Sequence, residues 1–217
     1  MVQTLIYLLD SSVFISDHYR KLGNHLLCRF FELFFNTAVL EDWNLKCDPI
    51  NFELIWNNFQ QYEDEFSQSL TEFILNYYSI DGKIDFVKVS RFLAEQFLHA
   101  KALWDQEDFM AVWEKSLNDL YKPDFSDIKD MVLIEKHPGS GRLEIKKYLR
   151  ADLPSDVDSR FIALFKTRQR WQYDELIPFI IDLGKDTKEL DAIVLKHGRV
   201  STSKDVRYIT PRSQLLD

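Results

Sequence analysis

Apolar positions along this chain recur mostly at helical spacing, and at intervals the stripes give way to a short alternating stretch around a turn. Residues 149–212 show the pattern best. Asp152-Leu153-Pro154 stops the chain ahead of Ser155, and Ser155-x-x-Asp158 reads as a helix N-cap with an acid in the first turn. Val157, Phe161, Leu164 and Phe165 then share one helical face. A second helix is expected from near Asp174, burying Leu176, Phe179, Ile180 and Leu183. Pro178 falls in its first turn, where no backbone donor is missed, and Gly184 ends it. A third helix places Leu190, Ile193, Val194 and His197 at i, i+3, i+4, i+7, and Gly198 stops it. Val206, Tyr208 and Thr210 next alternate with Arg207 and Ile209, as in one strand of a hairpin turning near Ser203-Lys204-Asp205. Three helices followed by a β-hairpin make a winged helix.

The same reading extends upstream. TLIYLL in residues 1–14 predicts a strand, with Ser11-Ser12 as a turn. Residues 17–40 read as one long helix with a stripe of Leu22, Leu26, Phe30, Leu33 and Phe34, which Phe31 and Phe35 widen enough for cover on two sides. Residues 42–49 break it. Helices are expected at 51–59 and 65–78, then a turn at 79–83 and a short strand at 84–87. Next come helices over 89–103, with Phe92, Leu93, Gln96, Phe97 and Ala100 on a face, and over 107–120, burying Met110, Val112, Trp113 and Leu117. A short helix at 125–131 leads into strands 131–135 and 142–149, which flank His137-Pro138-Gly139-Ser140-Gly141, strong hairpin chemistry. The expected fold is therefore mainly α with small β-hairpins (α+β): a tandem array of winged-helix domains of about 70 residues each. The boundaries fall at 1–87, 88–150 and 151–217, the first unit being helical with a cryptic hairpin.

Composition narrows the function. Forty-six per cent hydrophobic residues and 17 Phe supply packed cores. The net charge of −8 argues against a protein that grips nucleic acid over its whole surface. Residues 185–212 run the other way, with seven basic against four acidic residues, +3, which leaves −11 for the rest. Two cysteines outside any CxxC suit a reduced compartment. The most apolar run, residues 22–40, carries His25, Arg29 and Glu32, which argues against a bilayer span and for a buried or interface helix. No signal peptide is read at the N-terminus.

No catalytic constellation is legible. HPGSGRLE lacks the Lys-Ser/Thr pair of a phosphate loop and reads as a hairpin turn. The five histidines are scattered without metal-ligand spacing; His18 and His25 read as a polar helix edge, and His197 stands between semi-buried residue and contact residue. A Gly-x-Ser-x-Gly elbow is absent, and Asp81-Gly82-Lys83-Ile84-Asp85 is too short for an EF-hand. No enzyme, cofactor or metal site is expected. In a winged helix, by contrast, the third helix can enter the major groove while the wing meets phosphate. That singles out Lys188, Lys196, Arg199, Lys204, Arg207 and Arg212 as candidate DNA contacts, with Arg142, Lys146, Lys147 and Arg150 in the preceding unit as secondary ones. The acidic, aromatic first half (Trp43, Trp56, Phe59, Tyr62, Phe66, Tyr77, Tyr78) suits a protein partner instead.

DLPSDVDSRFIALFKTRQRW, the DELIPFI helix, VLKHGR and the closing VRYITPR, in that order, resemble the C-terminus of the sister-chromatid-cohesion subunit family Dcc. The resemblance is carried by residues 149–212, is looser over 86–150 and is faint before that. It implies a non-catalytic adaptor subunit of the alternative, cohesion-type clamp loader, acting in the nucleus in sliding-clamp loading or unloading. It also implies tandem C-terminal winged helices that bind single- or double-stranded DNA without strong sequence preference and dock on the catalytic subunit of DNA polymerase epsilon. Contacts to the other clamp-loader subunits would run through a β-barrel region with no counterpart here, so the chain is expected to be the C-terminal part of a longer protein. A winged-helix transcription or chromatin regulator reading DNA directly is the alternative.

Overall fold

The computed structural model describes residues 12–15 and 18–212, with side chains from Leu22 onward; the strand expected at TLIYLL lies outside the described residues. The chain divides into two compact units, one ending at Asp127 and one beginning at Ile128.

In the first unit, β1 (Ser12–Ile15) and β2 (His18–Lys21) pair antiparallel, Val13 opposite Arg20. The helix expected over 17–40 is therefore shorter: residues 18–21 commit their backbone to β1, Gly23 is extended, and α1 spans Asn24–Leu40. His18 is on a strand, so it shares no helix face with His25. Phe30, Phe31, Phe34 and Phe35 are all buried, which requires cover on two sides of α1. Phe30 packs on Phe59 and Phe66 at 5.3 and 5.5 Å, whereas Phe31 meets Tyr78 at 4.8 Å and Phe35 meets Phe86 at 6.1 Å. Each such ring contributes about 1.5–3 kcal/mol by leaving water.

Asn51 caps α2 (Phe52–Phe59), its side chain accepting from the Leu54 amide at 3.1 Å. The helix expected from Glu65 starts later, as α3 (Gln68–Tyr77). Glu65 and Phe66 turn their amides back to the Tyr62 carbonyl, and Ser67 takes an extended cap conformation. β3 (Ser79–Ile80) and β4 (Lys83–Ile84) form the hairpin the sequence hides. Its two turn residues, Asp81 and Gly82, both have positive φ (50° and 75°), the conformation a two-residue hairpin turn demands. The strand expected over 84–87 stops at Ile84 because Asp85 caps α4 (Phe86–Ala100) through the Lys88 amide. β5 (Leu103–Asp105) replaces the helical end expected at Leu103, and Asp105 caps α5 (Gln106–Ser116). Shifted in phase from the expected stripe, α5 and the residue after it bury Phe109, Trp113 and Leu117, leaving Met110 half-buried and Val112 exposed. A 3-10 turn, Phe125–Ile128, stands where a helix over 125–131 is expected.

In the second unit, β6 (Val132–Lys136) pairs antiparallel with β7 (Leu143–Lys147) around the Pro138-Gly139 turn. α6 (Val157–Thr167) is capped by Asp156, which accepts from the Ser159 amide at 2.9 Å, rather than by Ser155. After β8 (Trp171–Gln172), the single helix expected from Asp174 breaks into α7 (Tyr173–Leu176) and two 3-10 turns, Ile177–Phe179 and Ile181–Leu183. Pro178 lacks the amide that would continue α7, and its carbonyl accepts from Arg150 at 3.2 Å. α8 (Thr187–His197), β9 (Gly198–Ser203) and β10 (Val206–Pro211) follow as expected, in a sheet ordered β8-β10-β9. One core joins Leu133 of β6 to Phe161, Phe165, Trp171, Val194 and Ile209.

One local arrangement is written twice, 67 residues apart. The Trp104 indole N–H donates to the Lys101 carbonyl at 2.7 Å and also to the Phe97 carbonyl at 3.3 Å, seven residues back, with Lys101 Nζ 4.6 Å from its ring. The Trp171 indole donates to Leu164 at 3.1 Å, again seven back, with the Arg168 guanidinium 5.2 Å from its ring. Both tryptophans sit on the short strand after a long helix, and in each case a further helix and a two-stranded hairpin lie downstream. Mainly helical structure with small antiparallel sheets is thus the observed class.

Candidate nucleic-acid interface

α8 is held at its N-terminus by two side-chain caps: Asp186 accepts from the Glu189 amide at 2.8 Å, and Glu189 Oε2 accepts from the amide of Lys185, just before the cap, at 2.7 Å. Both carboxylates are thereby spent on the helix start. The face of Leu190, Val194 and His197 is buried, and Ile193 is half-buried. The opposite face presents Lys188, Ala192, Leu195 and Lys196, all exposed. At the other end a Cβ on Gly198 would stand 2.5 Å from Ile209 Cγ2, so only glycine lets the helix pass this tightly into the wing.

His197 belongs to the core. It stacks on Phe161 with centroids 4.7 Å apart, and Nδ1 lies 3.4 Å from Asp158. Burial lowers its pKa; the nearby Asp158 carboxylate opposes that shift without reversing it. The sign for stability follows: as pH falls below the ordinary imidazole value, the unfolded chain takes up the proton before the folded one does. Thermal stability of the second unit is expected to drop from pH 7.5 to 5.5, and His197→Leu is expected to reduce that drop, as followed by circular dichroism melts at both pH values. An equal drop in the variant would remove His197 as its source.

The six candidate contacts separate into two groups. Lys188 and Lys196 on α8, Arg199 on β9 and Lys204 at the wing tip are exposed, with no side-chain partner among the described residues. Arg207 lies with its guanidinium 3.6 Å from the centre of the Tyr173 ring and 3.7 Å from Asp191, which also accepts from the Tyr173 hydroxyl at 2.5 Å. Arg212 donates to the carbonyls of Leu195 (2.7 Å) and Gly198 (3.3 Å), closing the C-terminal end of α8. These two arginines therefore hold the wing to the helix. Arg170, over the Tyr208 ring at 3.8 Å, adds a cation beside β10 that the sequence does not single out. In the preceding hairpin Arg142 and Lys146 are exposed, while Arg150 is tied to Asp130 at 3.2 Å.

Charge divides as the units do. Residues 128–217 carry 17 Lys and Arg against 14 Asp and Glu, +3, which leaves residues 1–127 with 10 against 21, −11. In the first unit, three of the seven flagged aromatics (Phe59, Phe66, Tyr78) are buried and Trp43, Trp56, Tyr62 and Tyr77 are half-buried. Leu40, at the end of α1, is 83% exposed, beside exposed Val39. HPGSG is a turn in which His137 Nδ1 accepts from the Gly139 and Ser140 amides, both at 3.1 Å. Among the described residues no cluster of His, Cys, Asp or Glu suits a metal ion, and no helix is long and apolar enough to cross a membrane.

A family model described as sister chromatid cohesion protein Dcc1 matches residues 6–180. Curated relatives agree. Sister chromatid cohesion protein DCC1 of Homo sapiens is 27% identical over 131 residues, covering 60% of this chain and 33% of that protein. The protein of the same name in Danio rerio is 28% identical over 130 residues, 59% and 32%. The probable sister chromatid cohesion protein DCC1 of Dictyostelium discoideum is 31% identical over 134 residues, 59% and 36%. The chain thus matches about a third of the length of these relatives. The family match takes in the first half of the chain and ends before α8 and the wing, so VLKHGR and VRYITPR lie beyond it.

Proposed function

We propose, since this chain belongs to the Dcc1 family of sister chromatid cohesion proteins, that it is a non-catalytic adaptor that grips DNA through α8 and the β9–β10 wing. Its role is in sister chromatid cohesion, as part of a cohesion-type clamp loader working in the nucleus. The tandem winged-helix reading is supported by the order helix, short strand, helix, hairpin that begins at Phe86 and again at Val157, and by the repeated Trp104 and Trp171 geometry. One observation carries the DNA assignment: among the described residues Lys188, Lys196, Arg199 and Lys204 are exposed and have no side-chain partner, while the carboxylates of Asp186, Glu189 and Asp191 are used internally. Cations of this kind neutralise phosphates and displace counterions. The outer face of α8 offers Lys, Ala and Leu and none of the Arg, Asn or Gln forks that read base edges, which favours sequence-independent binding over a transcription regulator's readout.

The first unit, strongly acidic and ending α1 in exposed Val39 and Leu40, suits a protein partner, and we assign it the docking on the catalytic subunit of DNA polymerase epsilon. Two moderate contacts on one chain raise the effective concentration of each. A Lys196→Ala/Arg199→Ala/Lys204→Ala variant is expected to bind a fluorescent DNA duplex at least tenfold more weakly than wild type at low salt, with an unchanged circular dichroism spectrum. Equal affinity would remove the wing from the DNA site and leave docking as the main role.

A further inference from the structure

We propose that Thr202 is a phosphorylation site for an arginine-directed protein kinase, and that its phosphate releases the wing from nucleic acid. The proposal rests on the reading of α8 and the wing as the nucleic-acid surface. Kinases of this class hold their substrate extended and engage an arginine a few residues before the acceptor with acidic groups of their cleft. β9 meets both demands. It is the outer strand of the sheet ordered β8-β10-β9, so one side of its backbone is not paired within that sheet, and residues 199–203 are exposed. Arg199, exposed and with no side-chain partner among the described residues, stands three residues before Thr202.

Three hydroxyls occur in a row here, and the register separates them. Ser201 lies opposite Tyr208 and Ser203 opposite Val206, whereas Thr202 lies opposite Arg207. Directly paired residues in an antiparallel ladder project on the same face with Cβ atoms about 5 Å apart. A phosphate on Thr202 would therefore meet a guanidinium across the ladder, the pairing that stabilises phosphorylated segments. Arg207 presently rests on Tyr173 and beside Asp191, a half-exposed ion pair it can leave without stranding a buried charge. The turn that closes the wing places two non-glycine residues, Lys204 and Asp205, at positive φ (49° and 62°), so the tip is held by a less favourable turn than Asn-Gly would give. That favours the local opening a kinase cleft requires.

The chemistry balances with MgATP as phosphoryl donor. The Thr202 hydroxyl oxygen attacks the γ-phosphorus, the bond to the β-phosphate oxygen breaks, ADP leaves, and the hydroxyl proton passes to the kinase's catalytic aspartate. The product adds about −1.5 to −2 charges at neutral pH. From Gly198 to Arg212 the wing carries Arg199, Lys204, Arg207 and Arg212 against Asp205, so one phosphate offsets about half to two thirds of its net +3.

The test treats the full chain with MgATP and the catalytic subunit of a cyclic-AMP-dependent kinase, alongside Thr202→Val, which keeps the β-branched shape. Phosphate is located by fragment mass spectrometry, and binding to a fluorescent DNA duplex is measured before and after treatment. The expected result is one phosphate on Thr202, affinity at least tenfold lower at fixed salt, and Thr202→Val unmodified in the wing with affinity unchanged by the kinase. No phosphate within 201–203, or phosphate on Ser201 or Ser203 instead, would overturn the site. Phosphate on Thr202 with unchanged affinity, in a chain that binds DNA beforehand, would overturn the switch. Untreated protein that does not bind DNA would overturn the switch together with the reading it rests on, while the mass measurement still decides the modification.

Discussion

Trp171→Ala is expected to destabilise the second unit by about 3–5 kcal/mol, the cost of deleting a large ring from a packed core. Trp171 is fully buried, touches Phe179 at 5.7 Å and Tyr148 at 6.4 Å, and hands its indole proton to Leu164. The ring packs in one core with Tyr148 just after β7 and with residues of α6, α7 and β10, so its loss opens a void shared by all of them. Given a domain stability of about 5–15 kcal/mol, this removes a large share of the total. Trp171→Phe keeps most of the volume and loses the hydrogen bond, with an expected cost nearer 1–2 kcal/mol. Urea titration followed by circular dichroism separates the two variants, and equal midpoints for wild type and Trp171→Ala would contradict the packing described.

The second large effect is expected at Arg160. This arginine is 3% exposed on the inner face of α6. Its Nε donates to the Pro154 carbonyl at 2.6 Å, and Nη1 donates to the Phe179 carbonyl at 3.2 Å and to Asp182 at 2.5 Å. Arg160→Met keeps the stem and leaves two carbonyls without their donor, while Asp182 retains Arg150, whose Nε lies 3.9 Å away. Removing one partner of a fully buried pair costs about 3–5 kcal/mol, and Asp182, 41% exposed, recovers part of that from water. The expected loss is roughly 2–4 kcal/mol. Asp182→Ala is expected to cost less, because Arg160 keeps both carbonyls. The same denaturant titration checks this order, and a milder effect for Arg160→Met than for Asp182→Ala would reverse the assignment.

Arg160 also shows where reading the sequence stops. In DVDSRFIALF the periodic Val157, Phe161, Leu164 and Phe165 announce α6, but a lone arginine there reads as solvated, because the carbonyls that receive it come from turns up to 19 residues away. α8 is legible for the opposite reason: its stripe and its terminal Gly198 are local signals, whereas its Asp186 cap is seen only in the structure. The helix expected from Asp174 failed because periodicity over 174–183 says nothing of how Pro178 divides the segment into short turns. Likewise 18–21 looked helical until β1 supplied a pairing partner. In the site, exposure of Lys188 and Lys196 follows from the helix stripe and that of Lys204 from its place in the hairpin turn, whereas Arg199 lies on a strand exposed throughout 199–203. That Arg207 lies against Tyr173, 34 residues earlier, and that Arg212 closes the end of α8, depends on the folded sheet and was not readable.

The claim that α8 and the wing neutralise DNA phosphates is tested most directly by the salt dependence of binding. The logarithm of the association constant for a short duplex falls linearly with the logarithm of salt concentration, with a slope close to 0.9 per phosphate neutralised. Measured by fluorescence anisotropy, Lys196→Ala, Arg199→Ala and Lys204→Ala are each expected to lower the slope by about one unit, and Arg212→Ala by much less, since that side chain already serves two carbonyls. Slopes unchanged in the first three variants, or lowered only in Arg212→Ala, would contradict the account.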